Sequence, residues 1–145
     1  MSPNKDRKGQ RFLFKISLMG PDESLLEEVV RIFNKDLVSI DGISIGSVKR
    51  ESHGADVKAV FMFSKHSALD ILLTLAYTGA HGAMIVLESP NPELESEYRN
   101  RVRENIGTVP CRLLVLDSPL DKEESKRIID AFENLVEELL EARSV

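Results

Sequence analysis

The chain has 145 residues, 42% of them hydrophobic and 30% charged, which suits one domain with its own core and argues against a second. A formal net charge of -5 argues against a general affinity for nucleic-acid backbone, which requires clustered positive charge. No apolar run approaches the ~20 residues of a membrane span, and the polar start lacks the apolar stretch of a secretory signal, so a cytoplasmic location without membrane contact is expected.

Lys5, Arg7, Lys8 and Arg11 make the start locally basic, and residues 1–10 are expected to be a disordered tail before a single domain over 11–145. Phe12 to Met19 (FLFKISLM) is a strand by its apolar and β-branched content, stopped by Gly20 and Pro21. Leu25, Leu26, Val29, Val30 and Phe33 then recur at helical spacing, with Asp22 or Ser24 as N-cap. Asp41-Gly42 marks a turn, ISIGSVKRE a moderately apolar strand, and His53-Gly54 a second turn leading into an antiparallel strand over Val57 to Ser64. Ala68 to Tyr77 is apolar enough to be an element buried on more than one face.

Gly79 and Gly82 supply the backbone freedom that ends a helix and brings strand and helix close. The run Met84, Ile85, Val86, Leu87 is that of a strand covered on both faces. Asn91 and Pro92 suit the cap and first position of a highly charged helix reaching Asn105, with Leu94, Tyr98, Val102 and Ile106 as a thin apolar stripe. Gly107 ends it, and Cys111 to Leu116 forms the last strand. Asp121 with Glu124 makes a capping box for a long amphipathic helix from Lys122 to the region of Ala142. Cys111, the single cysteine, has the apolar neighbours of a packing thiol. His53, His66 and His81 stand without partners at ligand spacing, so no metal site is expected.

One stretch carries a family likeness. Tyr77 to Glu88 (YTGAHGAMIVLE) resembles the helix end, turn and buried strand that follow the second switch region of Ras-superfamily small GTPases, with Tyr77, Gly79, Ala80, Gly82 and the run from Met84 in matching places. Ser44-Ile45-Gly46 resembles the Thr-Ile-Gly of a first switch, and Val109-Pro110 the lead-in to the guanine-reading motif. The resemblance runs from Phe12 to Leu120 and implies a three-layer α/β domain. Its sheet would be mostly parallel, with about five strands and helices on both faces, in the Ras-like P-loop GTPase topology truncated at the C-terminus. The strands at Phe12 and Met84 would be adjacent and central, and Gly42 to Ser64 an antiparallel edge hairpin.

The chemistry of that family is not carried over with the same fidelity. Its phosphate loop, GxxxxGK[ST], works because glycines let backbone N–H groups wrap the phosphates, the Lys meets their charge and the hydroxyl holds magnesium. Here Gly20-Pro21-Asp22-Glu23-Ser24-Leu25 stands in its place, and only Gly20 and Ser24 correspond. Asp22 and Glu23 put negative charge where a phosphate would sit. Phe63-Ser64-Lys65-His66 replaces the magnesium-binding Asp-x-x-Gly, and Leu116 to Asp121 holds no ungapped Asn-Lys-x-Asp.

The expectation is therefore a pseudo-GTPase, a non-catalytic Ras-like domain serving as a protein-binding or regulatory module. It would have a protein partner and no catalytic residue, metal or cofactor. The alternative is a divergent small GTP-binding protein that holds GTP and magnesium through Gly20, Ser24, Ser44 and Asp117, with residual GTPase activity. A receiver domain would need an Asp ending its third strand and a Lys ending its fifth, where this sequence offers Phe63 or Ser89 and Asp117.

Overall fold

A computed structural model describes residues 8–64 and 76–143 of the chain. In them, strand β1 (Arg11–Met19) leads through a short turn to helix α1 (Glu23–Phe33). Strands β2 (Val38–Ile40), β3 (Ile43–Ser52) and β4 (Ala55–Ser64) follow. After the next described residues come β5 (Gly82–Leu87), α2 (Pro92–Asn105), β6 (Cys111–Val115) and α3 (Lys122–Arg143). The element expected over Ala68 to Tyr77 lies outside the described residues except for Ala76 and Tyr77, which are helical.

The described strands form one six-stranded sheet in the order β2-β3-β4-β1-β5-β6. It is mixed: β2–β3 and β3–β4 are antiparallel, while β4–β1, β1–β5 and β5–β6 are parallel. This corrects the expectation of a mostly parallel, five-stranded sheet of Ras-like topology. The additional strand is β2, and the Asp41-Gly42 turn creates it. Both turn residues have positive φ, 51° and 85°, as a two-residue hairpin turn of matching twist requires. Such a turn folds the chain directly back, so Val38, Ser39 and Ile40 pair with Ile45, Ser44 and Ile43. Three residues are too few to display a period of two, which is why the sequence does not announce them as a strand. β3 is consequently an interior strand, and β2 holds the edge.

Of the expected tail, residues 1–7 lie outside the described residues. Gly9 N–H donates to the Gly54 carbonyl at 3.3 Å and Asp56 N–H to that of Gln10 at 2.9 Å, so the chain is tied to the β3–β4 turn before β1 begins.

The core lies on both faces of the sheet. On one, Phe14, Ile16 and Leu18 of β1, Phe61 and Phe63 of β4, and Met84 and Val86 of β5 pack with α1 and α3. Phe33, Phe61 and Phe132 join there with ring centroids 4.8 to 5.4 Å apart. On the other face Met19, Ala83, Ile85 and Leu87 meet Tyr98 and Val102 of α2. β5 is thus buried at every position, as its unbroken apolar run demands. Helix α2 needs only its thin stripe for this contact, and its outer surface carries ion pairs one turn apart, Arg99 to Glu95 at 2.9 Å and Arg101 to Glu97 at 3.1 Å.

Candidate functional site

β1 and β5 lie side by side and parallel, yet α1 after β1 packs on one face and α2 after β5 on the other. The chain therefore parts at their C-terminal ends, and a crevice at such a point is where open α/β sheets hold ligands. Among the described residues, the Gly20 to Ser24 turn, Glu88 to Pro90 after β5, and Asp117 to Leu120 after β6 meet this rim.

The start of α1 is the part of the rim suited to an anion, since its first N–H groups have no partner within the helix. Here those of Ser24 and Leu25 are engaged from inside. Asp22 caps the helix, its Oδ1 accepting from Ser24 N–H at 2.9 Å and Leu25 N–H at 3.3 Å. Gly20 does not open a loop around a ligand. A Cβ at this position would lie 2.2 Å from the Val86 carbonyl oxygen, so glycine is required for the turn to rest directly on β5.

Carboxylates also fill the far side of the rim. Glu28 of α1 reaches the loop after β6, accepting from the Ser118 hydroxyl at 2.6 Å and from Leu120 N–H at 3.4 Å. Glu124 of α3 accepts from Asp117 N–H at 2.5 Å and Asp121 N–H at 3.4 Å, while Asp121 Oδ1 accepts from Glu124 N–H at 2.8 Å. This is the capping box expected from the sequence, extended by one further bond to Asp117. The backbone donors a phosphate would need are thus held by Asp22, Glu28, Asp121 and Glu124, which leave a negative rim behind.

Of the residues in the GTP-binding alternative, Gly20 and Ser24 share the first turn and Asp117 stands on the same rim, exposed. Ser44 is apart from them, fully buried on β3, with β4 between its strand and β1. Its hydroxyl lies 2.9 Å from that of Ser39 in a pair across the β2–β3 hairpin. Phe63, which the resemblance sets in place of a magnesium-linked carboxylate, is core. Lys65 and His66 lie outside the described residues.

His81 caps the start of β5. Its ring Nδ1 accepts from Lys15 N–H at 2.9 Å, and its backbone N–H donates to the Lys15 carbonyl at 2.8 Å. The neutral ring must then carry its proton on Nε2, 3.2 Å from an Arg143 guanidinium nitrogen, so that contact joins two donors and is not a hydrogen bond. Burial, with Arg143 and Lys15 adding repulsion, pushes the imidazole pKa below its ordinary value. His53 lies 3.7 Å from Glu137 on the outer side of the β3–β4 turn. Burial pushes the Cys111 thiol up, which keeps it protonated and in the packing role expected of it.

Among the described residues no group of His, Cys, Asp and Glu is arranged to hold a metal ion, and no helix is long and apolar enough to cross a membrane. The Glu28–Ser118 bond joins positions 90 residues apart, and no pattern in the sequence marks it. Ser17, buried between Met62 and Ala83 with no partner for its hydroxyl among the described residues, is equally unmarked. No protein-family model matches the chain, and no curated protein matches it.

Proposed function

We propose that this chain is a pseudo-GTPase, a non-catalytic relative of the small GTPases that works in the cytoplasm as a protein-binding or regulatory module. The observation that carries the reading is the occupied helix start: Asp22 holds the Ser24 and Leu25 N–H groups that a phosphate would have to take. An incoming phosphate meets acidic side chains at Asp22, Glu28, Asp121 and Glu124 instead of free donors. The likeness of YTGAHGAMIVLE to the family supports the ancestry, and the charged outer surface of α2 suits a protein partner. In favour of the alternative, a divergent GTP-binding protein, Gly20, Ser24 and Asp117 do share one rim; it requires Asp22 to release its helix. Chromatography of the supernatant from denatured, freshly purified protein separates the two. The pseudo-GTPase reading expects no guanine nucleotide, and a stoichiometric amount of GDP or GTP would refute it.

A further inference from the structure

His81 joins the start of β5 to the end of α3, two places far apart in the sequence. From β1, Lys15 N–H donates to its ring Nδ1 at 2.9 Å and the Lys15 carbonyl accepts from its backbone N–H at 2.8 Å, so the ring takes part in pairing β1 with β5 just before Ile16 meets Gly82. Lys15 secures the approach a second time, its Nζ donating to the Thr78 carbonyl at 2.6 Å. From α3, Arg143 brings a guanidinium nitrogen to 3.2 Å from Nε2. The buried Phe14 ring serves both groups. His81 meets it edge-on with centroids 5.5 Å apart and planes at 77°, and the Arg143 guanidinium carbon lies 5.6 Å from its centroid.

This arrangement suits only the neutral ring. With one proton on Nε2, a second has to enter at Nδ1, where Lys15 N–H already points, so protonation exchanges a hydrogen bond for two opposed donors. The imidazolium would also set a full positive charge against Arg143. Among the described residues the charged groups acting on the ring are Arg143 of α3 and Lys15 of β1, both cationic. The C-terminal end of α3 offers about half a negative charge against them, too little to offset the conflict. Arg143 is the part placed to yield: it is exposed at the end of its helix, whereas Leu139 and Leu140 behind it are buried.

We propose that His81 is a proton-operated latch on α3: neutral, it lets Arg143 lie over Phe14, and on protonation it drives Arg143 off and frees the last turn while the body of the helix stays packed. Burial and the two cations lower the pKa of the ring below 6.5, so the latch is closed at neutral pH and opens in more acidic solution. It goes beyond the pseudo-GTPase reading and does not depend on it.

NMR of the isotope-labelled full chain between about pH 7.5 and about pH 5, held below its melting temperature, tests the latch. His81 should titrate with a midpoint below 6.5. The Cα shifts of Glu141, Ala142 and Arg143 should move from helical toward coil values with that same midpoint, while those of Phe132 and Leu135 stay helical. Arg143→Met, at an exposed position, should raise the His81 midpoint by removing one of the two opposing charges. His81→Asn, whose amide oxygen can keep the bond from Lys15 N–H, should leave the last turn helical across the range. A last turn that keeps its helical shifts through the His81 titration overturns the proposal, as does one that loses them equally in His81→Asn or a midpoint that Arg143→Met leaves in place. A loss that extends to Phe132 and Leu135 overturns it too, because the whole fold would then be opening.

Discussion

The hydrogen that stands for a side chain at Gly20 lets the first connection lie on β5, and replacing it with a methyl group would drive that group into the Val86 carbonyl. Gly20→Ala should therefore destabilise the protein by about 1–3 kcal/mol, read as a lower denaturation midpoint in urea. An unchanged midpoint would mean that the turn is free to lift, as a ligand-wrapping loop must be. Ser17 tests the opposite case: its buried hydroxyl has no partner among the described residues, so Ser17→Ala should leave the melting temperature level or raise it, and a clear fall would reveal a bond. His81 gives a pH signature. Its pKa in the folded protein lies below the ordinary 6.5, so the unfolded chain binds more protons as pH falls past that value. Its contribution to stability is complete above 6.5 and is lost as the pH drops toward the lowered, folded-state pKa. The wild-type melting temperature should fall more than that of His81→Asn between about pH 7.5 and about pH 5.5, and equal falls would contradict the assignment. Asparagine is chosen because its amide oxygen can accept from Lys15 N–H in place of Nδ1.

Helix α3 closes one face of the sheet with Ile128, Phe132, Leu135, Val136, Leu139 and Leu140. Each is worth roughly 1.5–3 kcal/mol when buried, together as large as the roughly 5–15 kcal/mol by which a domain is stable. Truncation after Leu120 should abolish the cooperative melt, and Phe132→Ala alone should cost about 3–5 kcal/mol. A truncated chain that melts near the original temperature would make α3 an appended element instead. This helix was legible from its large apolar side chains at helical spacing and its Asp121–Glu124 box, as α1 and α2 were from Asp22 and Asn91. β5 was legible for the same reason, because an element buried on both faces must be apolar throughout. β2 was not, since three residues between a helix and a tight turn carry no period and only the turn geometry assigns them a partner. The rim was half legible. Asp22 and the capping box are local and show in the sequence, whereas the Glu28–Ser118 and Glu124–Asp117 bonds depend on how distant segments are brought together.

Taken whole, the described residues place an acidic rim, with helix-start donors already engaged, where binding a nucleotide would call for open donors and positive charge. Its net charge of -5 acts in the same direction on any polyphosphate approaching it. Under the proposed ancestry, the small GTPases' phosphate Lys and charged guanine contact, each worth about 1.5–3 kcal/mol, would both be missing, which removes roughly two to four decades of affinity. A single Lys introduced into the Gly20 to Leu25 turn should not restore binding, because the N–H groups would still belong to Asp22. The decisive experiment is calorimetric titration of the unmodified chain with GTP and magnesium. No saturable heat is expected up to about 100 μM ligand. A dissociation constant below about 1 μM would contradict the account and make the rim a working nucleotide site.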